Sequence, residues 1–311
     1  MQISLVTDIE SFSLLGRTGK SAWWRYFLGL FIVASGFLIL GYLAYALCLT
    51  ISGATVLLSG KMPTEAAGWQ KISVDPLTCY LALFPSFVIV ILLLWFVVHF
   101  LHRRSFLSLV TSRKWIDWRY AFMGFVIWGA LLFLGASIEY LLYPRDFAFT
   151  FHAQEFIKWA PVILLLTPFQ ALAEEMFCCG YLMQFFGLWI QKAWVLSFLN
   201  GTIFLLLHLD HPVMTHSAAT ACLFYFCSGF LSAMLALRTN GLEMSVGCHA
   251  ANNTICLLIF SGPDSLFSNP AIFTVNQRHD TFDVIDTLVK MIASYALLML
   301  YFRRRGKQLA M

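Results

Sequence analysis

The sequence predicts an all-α, polytopic integral membrane helix bundle with about eight transmembrane helices and both termini in the cytoplasm. Three observations carry this. Of 311 residues 60% are hydrophobic and only 12% are charged, where a soluble globular protein has about 25% charged. Several apolar runs reach the roughly 20 residues that a membrane helix needs. The basic residues fall in alternate loops.

The expected spans run over 27–50, 78–101, 120–143, 159–186, 193–209, 217–237, 243–262 and 283–302. About 25 mixed polar residues precede the first, and its apolar run exceeds the h-region of a cleavable signal, so the N-terminus is read as retained. Taking the loops in order, the N-terminus, the loops after spans 2, 4 and 6, and the C-terminus hold 14 Lys and Arg, whereas the other loops hold 5. Basic loops stay in the cytoplasm, which sets the orientation and an even number of spans. Loop position explains the net charge of +4, so nucleic acid is not an expected partner; the lipid bilayer is.

The eight cysteines lie mostly inside apolar segments, with no C-x-x-C pair, and read as small buried side chains. The outer loops 51–77 and 263–282 are the longest, and "SGPDSLFSNPAIF" (261–273) carries turn residues. No internal repeat is present. The chain reads as one membrane domain, 1–311.

Ionisable groups within spans cost roughly 2.5–3.5 kcal/mol each at a helix centre, so they are functional candidates by default. Glu174 and Glu175 interrupt the longest apolar stretch. Asn200, Phe204 and His208 are spaced by four and share one face of span 5; Ser245, His249 and Asn253 do the same on span 7. Such stripes must face one another or a wet cavity. Two carboxylates, two imidazoles and a carboxamide would then converge. A partly desolvated carboxylate can take a proton from water, and imidazole and carboxamide can stabilise an oxyanion or, for imidazole, bind a metal. That chemistry fits peptide-bond hydrolysis, and the spacing is not the H-E-x-x-H of soluble zinc peptidases.

Other polar residues read more plainly. Glu139, Glu243 and Lys290 are expected to reach interface water, the lysine by snorkelling. His99 and His102, beside Arg103 and Arg104, read as an interface belt. His211 and His216 read as loop residues, and Trp23, Trp24, Trp189 and Trp194 as aromatic anchors.

The motifs "EEMFCC" from Glu174, "FLLLH" from Phe204 to His208 and "HAANN" from His249 to Asn253 together resemble those of the CPBP family (CAAX prenyl proteases and bacteriocin-processing enzymes, also called Abi), which carries E-E-x-x-x-R, F-x-x-x-H and H-x-x-x-N in that order. Gly180 and Leu182 also match the continuation of the first motif. The likeness covers about 160–262, which it implies is a CPBP-like catalytic core. It implies an intramembrane endopeptidase acting on membrane-associated proteins or leader peptides. By resemblance Glu174 and His208 activate water, His249 and Asn253 stabilise the oxyanion, and Glu175 supports the site. The family is argued to use either zinc or a glutamate-activated water, and Glu174, His208 and His249 would be the zinc ligands. The loop-poor chain looks bacterial, which points to the cytoplasmic (inner) membrane.

One position departs from the family. Cys179 stands where the motif arginine would neutralise Glu175. Either Glu175 is protonated, or another donor such as Asn200, Gln170 or Gln184 reaches it, or the site is degraded. The last case would leave a membrane scaffold or regulator, or a bacteriocin self-immunity protein. A proton-relaying transporter is the third reading, disfavoured by the lack of inverted repeats. Pro161 and Pro168 interrupt span 4, and a break near Pro168 would bring Glu174 and His208 to one depth.

Overall fold

A computed structural model describes residues 10–51, 75–215, 217–262, 265, 267 and 269–309. The outer loop expected over 51–77 lies almost wholly outside the described residues, as do His216 and parts of 261–273. The chain is an all-α polytopic membrane bundle. After a short α1 (Glu10–Leu14) come α2 (Trp23–Ile51), α3 (Pro76–Leu101), α4 (Trp118–Leu142), α5 (Ala153–Phe186), α6 (Ala193–Leu206), α7 (Ala218–Thr239), α8 (Glu243–Leu258) and α9 (Asp280–Leu309).

Among the described residues six helices are long and apolar enough to cross a membrane, namely α2, α3, α4, α5, α7 and α9. The other two expected spans form the shorter helices α6 and α8, of 14 and 16 residues. Large apolar side chains point outward along the bundle, among them Phe31, Leu38, Phe122, Leu134, Leu165 and Ile292. A surface this apolar suits lipid rather than water. Trp23, Trp24, Trp189 and Trp194 are exposed near helix ends, and the Arg25 guanidinium lies 4.5 Å over the Trp24 ring.

The five basic segments meet at one end of the bundle. Arg17 donates to the carbonyl of Leu188, Lys20 N to that of His102, and Thr111 bridges to Gly241. Tyr120 packs on Tyr301 and Phe302, near the far end of α9. The opposite end carries a small sheet that the sequence reading did not foresee. β1 (Phe147–Phe149) pairs antiparallel with β3 (Phe273–Val275), and β3 pairs parallel with β2 (Phe260–Ser261). Each strand carries Phe, and β3 adds Thr and Val, residue types that suit strands.

The short helices are held by close backbone approach. A Cβ on Gly247 of α8 would meet the carbonyl of Ala121 and the nitrogen of Phe125 on α4, and one on Gly124 would meet the backbone of Met244 and Cys248. Gly201 of α6 and Gly229 of α7 form a second such crossing, Gly229 meeting Gly201 Cα and the Asn200 carbonyl. Small residues at a crossing let membrane helices pack closely. These two contacts fix α6, whose end leads into His208, and α8, which carries His249, against longer helices.

Helix α5 does not break at Pro168. It runs unbroken from Ala153 through Pro161 and Pro168 to Glu175, then continues as a π-helical segment, Met176–Leu182. Such π-segments cluster at functional sites. This one begins directly after the paired glutamates.

Several polar residues lie deeper than expected. Glu139 is 8% exposed and does not reach open water. Glu243 is buried, pairs with Arg113 at 2.7 Å and accepts a hydrogen bond from Asp117 N. Lys290 does not snorkel: it pairs with Asp286 one turn away on α9. His102 is fully buried rather than part of a belt, whereas His99 is exposed and stacks on Trp95. For Glu243 and His102 a partner from a neighbouring helix or loop replaces water, which is what makes burial of a polar group tolerable. All eight cysteines are free.

Candidate active site

Glu174 and Glu175 close the regular part of α5, one turn above Gln170. The amide of Gln170 donates to Glu174 Oε1 at 3.1 Å. From α8, the ring of His249 lies between the two carboxylates. Its Nε2 is 3.5 Å from Glu174 Oε2, and its Nδ1 is 3.1 Å from Glu175 Oε1. Glu175 is 2% exposed, and its Oε1 also accepts from Ser232 Oγ of α7 at 2.9 Å. Its Oε2 is buried without a hydrogen-bond partner.

The missing arginine is therefore replaced by Ser232 and His249. None of the three donors suggested by the sequence serves Glu175. Gln170 bonds Glu174, Gln184 donates to the carbonyl of Ser108, and Asn200 donates to the carbonyl of Gly229 and to Cys179 Sγ. Cys179 thus packs against α6 through Asn200 while its thiol stays in contact with the Glu175 carboxylate.

His208 caps the end of α6. Its Nδ1 lies 2.7 Å from the Phe204 carbonyl, so Nδ1 carries the proton and Nε2 is the acceptor of the neutral ring. The ring stacks on Tyr225 of α7, with centroids 4.3 Å apart. Phe204 packs edge-on against His249 at 5.9 Å and so separates the two histidines. Asn253 Oδ1 accepts from Asn252 Nδ2 at 3.1 Å, and Asn252 Oδ1 in turn accepts from Trp128 Nε1 at 3.3 Å. This arrangement leaves the Asn253 amide free to donate.

All five motif residues, Glu174, Glu175, His208, His249 and Asn253, line one cavity of about 570 Å³. His208 shares the cavity with Glu174 but no hydrogen bond. His211 lines it too, and the 211–215 turn accommodates it. The sequence reading missed Tyr225, Ser228 and Ser232, which also line the cavity. Their signal was present, since intervals of three and four place them on one face of an otherwise apolar helix.

Among the described residues no three His, Cys, Asp or Glu side chains are grouped to hold an ion. Of the expected zinc set, Glu174 and His249 lie 3.5 Å apart, whereas the His208 ring stacks on Tyr225. Carboxylate and imidazole facing a confined cavity can polarise a water molecule without one.

Residues 156–255 match the family described as Rce1-like, type II CAAX prenyl endopeptidase. This bears out the resemblance to the CPBP family read from the three motifs. The chain is also 27% identical over 291 residues to the uncharacterized protein YyaK of Bacillus subtilis (strain 168), covering 93% of this chain and 95% of that protein. No solved structure matches the chain.

Proposed function

We propose, from the place of residues 156–255 in the Rce1-like, type II CAAX prenyl endopeptidase family, that this membrane protein is an intramembrane endopeptidase. Its substrates are membrane-associated proteins or leader peptides, and its place is a bacterial cytoplasmic membrane with both termini inside. The observation that carries the reading is His249 held between Glu174 and Glu175 on the wall of a cavity that also holds His208 and Asn253.

In this reading Glu174 and His208 Nε2 hold a water molecule between them. Glu174 takes its proton as the oxygen attacks the scissile carbonyl carbon. The carbonyl oxygen becomes an oxyanion, which the Asn253 amide and His249 stabilise in a water-poor site. Collapse breaks the carbon–nitrogen bond, and the proton held on Glu174 passes to the leaving amine. Glu175 and Ser232 keep the His249 ring in register. No step requires a metal ion.

A second reading, a scaffold or regulator of the same fold, is favoured by one observation: Cys179 in place of the motif arginine, with Glu175 Oε2 unpartnered. The test is cleavage of membrane-proximal peptides by the wild type and Glu174→Ala in nanodiscs, read by mass spectrometry. Cleavage by the wild type alone supports the protease. Cleavage by neither, with both folded, favours the scaffold.

A further inference from the structure

The cavity is longer than the catalytic chemistry needs, and its far wall is charged. Trp128, Leu132, Ala136 and Glu139 of α4 all line it, spaced so that they share one face of the helix. Trp128 marks the catalytic end through its bond to Asn252. Glu139 lies eleven residues on, about 16 Å along the helix at 1.5 Å per residue.

There α9 faces α4 with Asp283, Asp286 and Lys290. A Cβ on Gly135 would collide with the Asp286 carboxylate, so that side chain lies directly on α4, one turn before Glu139. Asp286 is paired with Lys290. Among the described residues lining this end, the cavity sets one further cation, Arg278, against the remaining carboxylates, Glu139 and Asp283, so their formal charges leave one negative in excess. Glu139 is 8% exposed, and its Oε1 is buried without a hydrogen-bond partner. A buried carboxylate oxygen left unpaired costs about 1–3 kcal/mol or more, so a donor arriving with a ligand would recover that loss.

We propose that Glu139, with Asp283, forms a specificity subsite for a Lys or Arg side chain of the polypeptide substrate, at the sheet end of the cavity. This rests on the endopeptidase reading. A metal ion is a poorer occupant, since no three ligating side chains are grouped there or elsewhere among the described residues. At about 3.3 Å per extended residue, 16 Å separates the basic residue from the scissile bond by about five residues.

The test uses the full chain in nanodiscs and a peptide series with Lys, Gln or Glu placed in turn at each position around the cut. The expected result is one position, about five residues from the cut, where the Lys peptide exceeds the Gln peptide in kcat/KM by about tenfold, the worth of one charged hydrogen bond. Glu139→Gln brings that ratio to near one. The ratio is internal to each preparation, so it does not depend on the fraction folded; if Glu139→Gln fails to fold, Asp283→Asn is read the same way. An unchanged ratio, or no preference at any position, overturns the subsite and leaves the protease standing. Binding of the same peptides to Glu174→Ala separates the two ideas. Lys-dependent binding that Glu139→Gln abolishes, without wild-type cleavage, sinks the protease and keeps the subsite; neither cleavage nor such binding sinks the subsite as well.

Discussion

Nδ1 of His249 lies 3.1 Å from Oε1 of Glu175, joining α8 to a residue 74 positions earlier on α5. The same oxygen takes the hydroxyl hydrogen of Ser232. Glu175 therefore acts by holding a ring that touches Glu174, and its charge and its geometry can be separated. Glu175→Gln keeps the volume and the acceptor oxygen but removes the charge. Hydrogen bonds to charged groups contribute about 1.5–3 kcal/mol, so cleavage is expected to fall by roughly 10- to 100-fold. Ser232→Ala removes one neutral donor, worth about 1 kcal/mol, and should fall only about fivefold. Steady-state kcat/KM on one peptide ranks the two, and a reversed ranking would remove Glu175 from its positioning role.

Restoring the family's arginine should not restore a better site. Cys179 is 1% exposed, sits in the main core beside Leu196 and Phe204, and receives the Asn200 amide. Cys179→Arg must insert a long cation there, and overpacking alone costs about 1–3 kcal/mol. The expected outcome is a lower Tm and a poorer gel-filtration profile, with no gain in cleavage. A folded Cys179→Arg protein with raised activity would show instead that the arginine had been lost from a degraded site, and would strengthen the scaffold reading.

Much of this site was legible in the sequence because helical spacing is local. Residues four apart share a face wherever the helix goes, which put Asn200, Phe204 and His208 together, and likewise Ser245, His249 and Asn253. Which faces meet is a property of packing. The glycine crossings at Gly124 with Gly247 and Gly201 with Gly229 decide that, and no spacing rule announces them. So Ser232, which stands in for the arginine, went unread; Glu139 was sent to the interface by its place near a span end and Lys290 by its power to snorkel, where the first is buried against its neighbours and the second pairs with Asp286 on its own helix. Of the two courses open to span 4, one unbroken helix or a break near Pro168, the first is found, for a related reason. Proline is tolerated in membrane helices where neighbours satisfy the freed carbonyl, and α5 stays helical through it. The sheet was missed because its three strands have only two or three residues each and follow no period long enough to detect.

The crossing of α4 and α8 offers a direct test of that packing account. At Gly247 an added methyl would meet backbone atoms of Ala121 and Phe125, which cannot swing aside; at Gly36 of α2 it would meet only the end of the Leu93 side chain. Gly247→Ala should therefore destabilise by about 1–3 kcal/mol, the range for overpacking, and displace His249 from the glutamates. Gly36→Ala should cost clearly less, since Leu93 can change rotamer. Thermal unfolding of both variants in the same detergent checks this. Equal losses would mean that backbone approach at α4 and α8 is not what seats the histidine.

At the basic end of the bundle, stability should depend on pH through His102. Its Nδ1 faces the Lys20 carbonyl at 3.0 Å and its Nε2 the Tyr181 hydroxyl at 3.0 Å, with its ring tilted against Tyr26 and edge-on to Tyr181. Burial pushes its pKa down from 6.5 to about 4; the Lys20 carbonyl opposes this, and the charges of Arg104 and Arg25 add to it. The folded protein thus holds His102 neutral where an unfolded chain would protonate it. Between about pH 6.5 and 4 the unfolded state binds the extra proton, so stability falls as pH falls and is complete above 6.5. Below about 4 both states are protonated and the loss levels off, at about 3 kcal/mol by the pKa difference. The Tm of the wild type should decline across that window, while His102→Gln, which cannot titrate, should start lower and run flatter. If the two profiles fall in parallel, some other group carries the acid sensitivity, and the buried pairing of His102 with Tyr181 contributes nothing to it.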